Sequence, residues 1–257
     1  MRVDHCDGKM FFLNSKGREI KNVDLFKDDE WDYEKSLWGV FSEDGNYFAV
    51  NAQERPAVPI GGYSEDHPGV SGNPHLILFT NEGTELWRHK LPVFYSNGVA
   101  ISSKGKYVVG TGTIFDAKKG VVDYCTWLVN KDGKIIQKYN FYSRHMAFSP
   151  NEKYVAVGYR KPVPTIQLIE CGTGKVLWEY EIKKSLDRMS NLTISGDGNV
   201  TVLFGKKDIR IFDPLGKISY RRTFLESDLV GIALSANGKQ IGISTHKKIE
   251  FMKKEER

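Results

Sequence analysis

Four pairs of adjacent basic residues are the first candidates for chemistry in this 257-residue chain, and each pair precedes an apolar segment. The pairs are Lys118-Lys119, Arg160-Lys161, Lys206-Lys207 and Lys247-Lys248. Cations gathered on one surface attract an anionic partner and make its binding sensitive to salt. The other interpretation is that these lysines and arginines are solvated loop ends that bind nothing.

Histidine and cysteine show no spacing that suits a metal ion or an activated nucleophile. The six histidines lack the paired spacing of metal motifs. Cys6, Cys125 and Cys171 are odd in number and lack C-x-x-C pairing, so we expect them to be small buried residues. No G-x-S-x-G sequence is present. We therefore predict no catalytic residue, no metal and no cofactor.

The compartment is indicated by what the first residues contain. Asp4, His5, Asp7 and Lys9 stand where a signal peptide needs an apolar run. No stretch approaches the roughly 18 apolar residues of a membrane span. Together with unpaired cysteines, this predicts a cytoplasmic protein. The net charge of +5 does not by itself identify a nucleic-acid binder.

The elements that position these residues follow from an internal repeat. A sequence motif that contains an apolar strand, a polar turn and a second apolar strand recurs five times. The serines that anchor the motif are spaced by 60, 47, 46 and 40 residues. The serines are Ser42, Ser102, Ser149, Ser195 and Ser235. A period of 40–50 residues is typical of propeller blades. Glycine occupies the turn in every copy except the third, where Glu152 must bend the chain differently or tolerate strain.

A second motif, which contains two strands joined by a glycine turn, follows each of the first four copies, as in residues 166–178. The repeat therefore holds four strands, which we label a to d from the axis outward. Trp87 and Trp178 occupy equivalent d-strand positions, and we interpret both as packing residues.

The chain resembles the WD40-like and PQQ-like β-propeller superfamily. The first motif, as in residues 148–157, looks like the F-S-P-D-G-K-Y-x-A-V signature of WD40-like propellers. Residues 173–178 look like the T-G-K-x-x-W motif of quinoprotein-type repeats. The resemblance implies an all-β fold, a β-propeller, and specifies no activity.

We predict one domain over residues 1–257 with five four-stranded blades. Residues 9–20 match the second motif, which forms strands c and d. The N-terminal strands would therefore complete the last blade and close the ring of blades. Residues 248–252 then form a surplus c strand, and the alternative is that the chain is part of a larger propeller.

Strand alternation places the b–c and d–a connections on one face, called the top. The largest is the insertion 51–74, which contains Tyr63 and His67 and is interpreted either as a binding loop or as a tolerated insertion. The second blade has a shorter version at residues 111–123. The four basic pairs lie on the same face.

The top of strand a should carry the polar groups nearest the axis. By alignment to the serines these are Arg144, His145 and Asn191. The axial positions offer no carboxylate pair of the kind a glycosidase needs. We therefore predict a non-catalytic binding or scaffold module that recognises a protein or an anionic macromolecule through its top face. The alternative is an enzyme or small-molecule binder with a site at the axial mouth.

Overall fold

A computed structural model of the protein describes residues 2–4, 9–25, 34–55, 74–91, 95–116, 121–159, 163–182, 189–205, 207–224 and 229–253. All regular structure in these residues is antiparallel β-sheet, as predicted. Within them, no helix has the length and apolar character needed to cross a membrane. The chain divides into two compact units, Met1–Tyr142 and Ser143–Arg257. The single domain expected over residues 1–257 stays a prediction.

The first unit holds three sheets. Sheet 1 contains β1 (Arg2–Asp4), β2 (Lys9–Leu13) and β3 (Glu19–Asp24). Sheet 2 contains β4 (Glu34–Phe41), β5 (Tyr47–Arg55), β6 (His75–Thr80) and β7 (Glu85–Lys90). Sheet 3 contains β8 (Tyr95–Ile101), β9 (Tyr107–Asp116), β10 (Val121–Asn130) and β11 (Ile135–Tyr139). In each sheet the strands follow one another in chain order.

The second unit also holds three sheets. Sheet 4 contains β12 (Ser143–Phe148), β13 (Tyr154–Tyr159), β14 (Thr165–Glu170) and β15 (Val176–Glu181). Sheet 5 contains β16 (Met189–Ile194), β17 (Val200–Phe204), β18 (Asp208–Phe212) and β19 (Ile218–Thr223). Sheet 6 contains β20 (Leu229–Leu234), β21 (Gln240–Thr245) and β22 (Ile249–Lys253).

The central strands are buried on both faces, because each sheet packs face to face against its neighbour in the same unit. Every residue of β17 and β18 is buried, whereas the outer strand β19 is mostly exposed. Leu203, Ile209 and Ile211 pack against Ile241 and Ile243 of the next sheet. This explains why a b strand such as β13, with the sequence YVAVGY, is apolar nearly throughout rather than alternating.

The anchoring serines hold the a–b turns through their hydroxyl groups. In all five copies the serine Oγ accepts a hydrogen bond, 2.9–3.0 Å long, from a backbone N–H across the turn. In four copies the same hydroxyl donates to an Asp or Asn two residues later. The bond from Ser42 lowers the pKa of the Asp44 carboxyl below its ordinary value. Each turn is therefore closed by hydrogen bonds that meet at the serine hydroxyl.

Glu152 tolerates strain rather than bending the third turn differently. Its φ is 59°, close to the 70° of Gly45 at the equivalent position. A left-handed conformation costs a residue with a Cβ roughly 1–2 kcal/mol relative to the ordinary helical region. The Ser149 hydroxyl of this copy accepts a hydrogen bond of 3.0 Å from the Tyr154 N–H, as in the other copies. This bond holds the turn in the shared geometry.

The two predicted packing tryptophans are confirmed. The Trp87 ring lies over the c–d turn of sheet 3, where a Cβ on Gly133 would be 3.0 Å from it, and its Nε1 donates to the Lys131 carbonyl at 2.9 Å. Trp178 covers Gly216 of sheet 5 in the same way. The d strands β7 and β15 thus each fasten their sheet to the next c–d turn along the chain.

The cysteine prediction is confirmed where the structure describes it. Cys125 and Cys171 are free and buried, and Cys6 lies outside the described residues. Burial raises the pKa of the Cys125 thiol, so little of it is thiolate.

The sheet pattern differs from the expected closure. Residues 9–20 do form the predicted c–d hairpin, but β1 pairs with β2 so that sheet 1 has three strands of its own. Sheet 6 is a separate three-stranded sheet. The described strands therefore make six sheets; five blades and closure by the N-terminal strands are not confirmed and stay predictions.

Two connections are shorter than predicted because the strands continue into them. Residues 51–55 belong to β5 and pair with β4, so Asn51 faces Trp38. Residues 111–116 and 121–123 likewise extend β9 and β10, with Thr111 buried in the sheet. Threonines favour the pleated conformation even among glycines, which the sequence interpretation underestimated. Residues 56–73, including Tyr63 and His67, lie outside the described residues.

Replacing the serine at the centre of a turn should destabilise the protein. In Ser149→Ala the Tyr154 N–H loses its acceptor in a site where the hydroxyl is fully buried, at a cost of about 1–3 kcal/mol. Denaturant unfolding measures it. Ser219→Ala on the exposed strand β19 is the control and should change stability by less than about 0.5 kcal/mol. Equal losses would contradict the role given to the turn.

Candidate top-face binding site

The structure describes three of the eight paired basic residues. Lys207 lies just before β18, and Lys247 and Lys248 lie in the turn before β22, all with exposed side chains. Lys248 forms an ion pair with Glu250 at 2.5 Å. Lys118, Lys119, Arg160, Lys161 and Lys206 lie outside the described residues. The predicted ring of basic pairs is therefore untested as a whole.

A β-bulge recurs at the top of strand a in the second unit. Pairing slips by one residue between Ser143 and His145, and again at the equivalent places in β16 and β20. The extra residues are Arg144, Ser190 and Val230, and all three are exposed. Because a bulge re-aims a side chain, each first strand turns one residue out toward solvent.

His145, the residue after the first bulge, is tied to the neighbouring sheet. Its half-buried imidazole forms a hydrogen bond with the backbone of Met189 at the start of β16. Burial lowers the pKa of His145 below its ordinary value, and the charge of Arg144 acts in the same direction. The neutral form is favoured, and the ring joins two strands.

Asn191 has a comparable position one sheet further on. It is half-buried, and its Nδ2 lies 3.8 Å from the place a Cβ on Gly231 of β20 would occupy. In the first unit the Asn51 Nδ2 donates to the Gly98 carbonyl of β8 at 3.0 Å. Polar groups at the tops of the inner strands therefore contact the next sheet. Arg144 is the member of the predicted axial set whose side chain is exposed.

Sequence reasoning missed a buried charge network on the outer strands of sheet 5. Arg210 Nη2 and Asp208 Oδ2 are 2.6 Å apart, and both side chains are more than nine-tenths buried. The guanidinium also lies over the Phe204 ring, 4.3 Å from its centroid. Arg221 Nε, on a side chain 59% exposed, reaches the other carboxylate oxygen at 3.3 Å. The network thus runs from the interior to the surface.

A signal for this network was present in the sequence. Asp208 and Arg210 are two residues apart on a strand, so they share a face. Their burial was not visible, because Asp and Arg side chains are rarely buried unless they are paired.

The described residues hold no group of three His, Cys, Asp or Glu side chains placed to bind a metal ion. The described top of the second unit offers cationic and hydrogen-bonding side chains, with exposed apolar residues that include Val163 and Val230.

The sheets of four antiparallel strands in chain order are those of a β-propeller, and comparison with solved structures agrees. One similar structure is the β-propeller domain of Cps50 (Swd1) from Myceliophteria thermophila, with a TM-score of 0.56 and 12% identity over 86% of this chain and 67% of that one. Another is a eukaryotic initiation factor, with a TM-score of 0.56 and 12% identity over 95% of this chain and 59% of that one.

At 12% identity these likenesses show the fold alone, a β-propeller, and the finer resemblance to WD40-like and PQQ-like repeats stays a prediction. No family model matches the sequence, and no curated protein matches it. This chain spans 59% of the length of the initiation factor chain.

Acid should weaken the protein partly through His145. Its pKa is lowered on folding, so the unfolded chain takes up the proton first, near pH 6.5. Stability must therefore fall as pH drops through that value. In His145→Gln the loss between pH 7.5 and 5.5 should be smaller, as measured by urea unfolding at each pH. The control is His246→Gln on an exposed turn; an unchanged pH dependence in His145→Gln would contradict the assignment.

Removing the buried carboxylate should be costly. Asp208→Asn leaves the Arg210 guanidinium buried without its counter-charge, and we expect a loss of about 3–5 kcal/mol in the free energy of unfolding. Glu181→Gln on the exposed end of β15 is the matched control and should stay within about 0.5 kcal/mol of wild type. A loss below 1 kcal/mol in Asp208→Asn would contradict the burial of an essential pair.

Proposed function

We propose that this protein is a non-catalytic β-propeller module that binds a partner protein through its top face. The observation that carries the proposal is the row of bulges in the second unit, which turns Arg144, Ser190 and Val230 outward at equivalent positions of three successive sheets. Side chains presented on rigid strands lose little freedom when a partner docks. Propellers serve many functions, so the proposal depends on this surface and not on the fold.

The charge of the surface indicates the partner's chemistry. Arg144, Lys207 and Lys247 are exposed around the bulges, whereas the Asp208 carboxylate is buried with Arg210. A surface of this kind steers an acidic partner toward it. Val230 is 53% exposed and adds an apolar contact among the cations. The combination suits an acidic protein surface better than a nucleic acid.

The basic pairs outside the described residues extend the proposal around the face. Lys118, Lys119, Arg160, Lys161 and Lys206 stand in the equivalent connections of their repeats. Tyr63 and His67 belong to the same face in the repeat pattern. We include these residues as binding candidates on the strength of their repeat positions alone.

The alternative of a ligand site at the axial mouth has less support. It requires Arg144, His145 and Asn191 to present polar atoms to a small molecule. The His145 ring instead bonds the Met189 backbone, and the Asn191 amide lies against Gly231.

Charge reversal on the top face tests the proposal. The triple variant Arg144→Glu, Lys207→Glu, Lys247→Glu should capture less partner protein from a native extract at low salt than wild type does. We expect the captured amount to fall by a factor of about ten or more. Three lost ion pairs of up to about 1 kcal/mol each account for a change of that size. Immobilised protein and a salt gradient provide the measurement.

The matched control is Lys153→Glu, Lys175→Glu, Lys217→Glu. These residues are exposed on the opposite turns of the same unit and give the same change in net charge. Its retention of partner should equal that of wild type. Equal loss in both variants, or capture that disappears after nuclease treatment, would contradict top-face protein binding.

A further inference from the structure

Among the described residues, sheet 6 of the second unit has β22 as its edge strand. Sheets 4 and 5 have a fourth strand outside the third, whereas β22 is outermost among the described strands of sheet 6. Its residues Ile249 and Phe251 are 69% and 80% exposed. An edge with free backbone groups is a template on which another strand can pair.

The backbone groups that point outward from β22 can be identified from the register. The Thr245 N–H donates to the Lys248 carbonyl at 2.9 Å, so this pair is hydrogen-bonded across the hairpin. Bonded and non-bonded pairs alternate in an antiparallel ladder, and Ser244 faces Ile249 while Gly242 faces Phe251. The N–H and C=O groups of Ile249, Phe251 and Lys253 therefore point away from β21.

A groove lies beside this edge. It has a volume of about 570 Å³ and is lined by residues 218–222 of β19 together with Met252 and Lys253 of β22. The lining residues include the cations Arg221, Arg222 and Lys253 and no carboxylate, and Arg221 also contacts the Asp208 carboxylate of sheet 5. Glu250, which is nearby on β22, is paired with Lys248. A strand added to β22 would lie in this groove and meet positive charge.

We propose that the edge of β22 binds an extended acidic segment of a partner protein, which adds to sheet 6 as its fourth strand. Main-chain hydrogen bonds from Ile249 and Phe251 supply pairing, and alternate side chains of the added strand select the partner. Arg222 and Lys253 favour carboxylates at the positions that face the groove.

The same charges argue against a second copy of this chain. A second β22 would bring its own Lys248 and Lys253 to a groove that already holds three cations. Like charges opposite one another destabilise a strand pair. An acidic strand would instead place negative charges opposite these cations, which stabilises the pair.

The experiment uses the full chain and a labelled heptapeptide of alternating glutamate and valine, with fluorescence anisotropy as the readout. Phe251→Pro removes an outward N–H on an edge strand, where proline is tolerated, and should weaken binding at least tenfold. Phe251→Thr keeps the N–H and favours a strand, so its affinity should stay within about threefold of wild type. Arg222→Gln with Lys253→Gln should weaken binding and reduce its dependence on salt.

Three results would overturn the proposal. The first is equal binding of a heptapeptide of alternating lysine and valine. The second is undiminished binding by Phe251→Pro, provided that circular dichroism shows a folded protein. The third is a dimer of the unliganded chain that Phe251→Pro abolishes, because a second copy would then be the occupant. The top-face variant Arg144→Glu, Lys207→Glu, Lys247→Glu should bind the peptide normally, so the two proposals can fail separately.

Discussion

A serine hydroxyl closes each a–b turn, buried in four of the five copies, and the placement of the strands depends on it. The hydroxyl accepts the N–H that would otherwise be unpaired inside the turn and so fixes the register of the two strands that leave it. The first aromatic residue of strand b is then held over the neighbouring turn, as Tyr47 is over Gly105 and Tyr154 over Gly198. One local hydrogen bond thereby determines a contact between sheets.

The polar residues at the tops of the inner strands hold neighbouring sheets together. His145 and Asn191 are directed at the next strand, and the bulge before each gives an adjacent residue to solvent. The residues that hold the sheets together and the residues that face solvent are neighbours in sequence but point in different directions. Binding surfaces can then change without disturbing the contacts that maintain the fold.

The sequence predicts most of the fold because the repeat is carried by residues with strict local roles. The serines, the turn glycines and the packing tryptophans each have one geometry that suits them, and the structure confirms it for Trp87 and Trp178. The length of β5 was underestimated because its last residues are mostly polar, and that of β9 because glycine and threonine together give a mixed local preference. The Asp208–Arg210 pair was missed because its burial depends on Phe204 of the adjacent strand β17 and on Tyr180 of another sheet. The bulges depend on pairing, which one strand's sequence does not contain.

Several bonds between neighbouring turns join backbone to backbone. The Asp44 N–H donates to the Ser103 carbonyl at 3.0 Å, and the Gly196 N–H donates to the Ala236 carbonyl at 2.7 Å. Such bonds are indifferent to side chains, so the copies can drift apart in sequence while the joints between blades persist. That is a physical reason why solved propellers share this fold at 12% identity while sequence comparison finds no family.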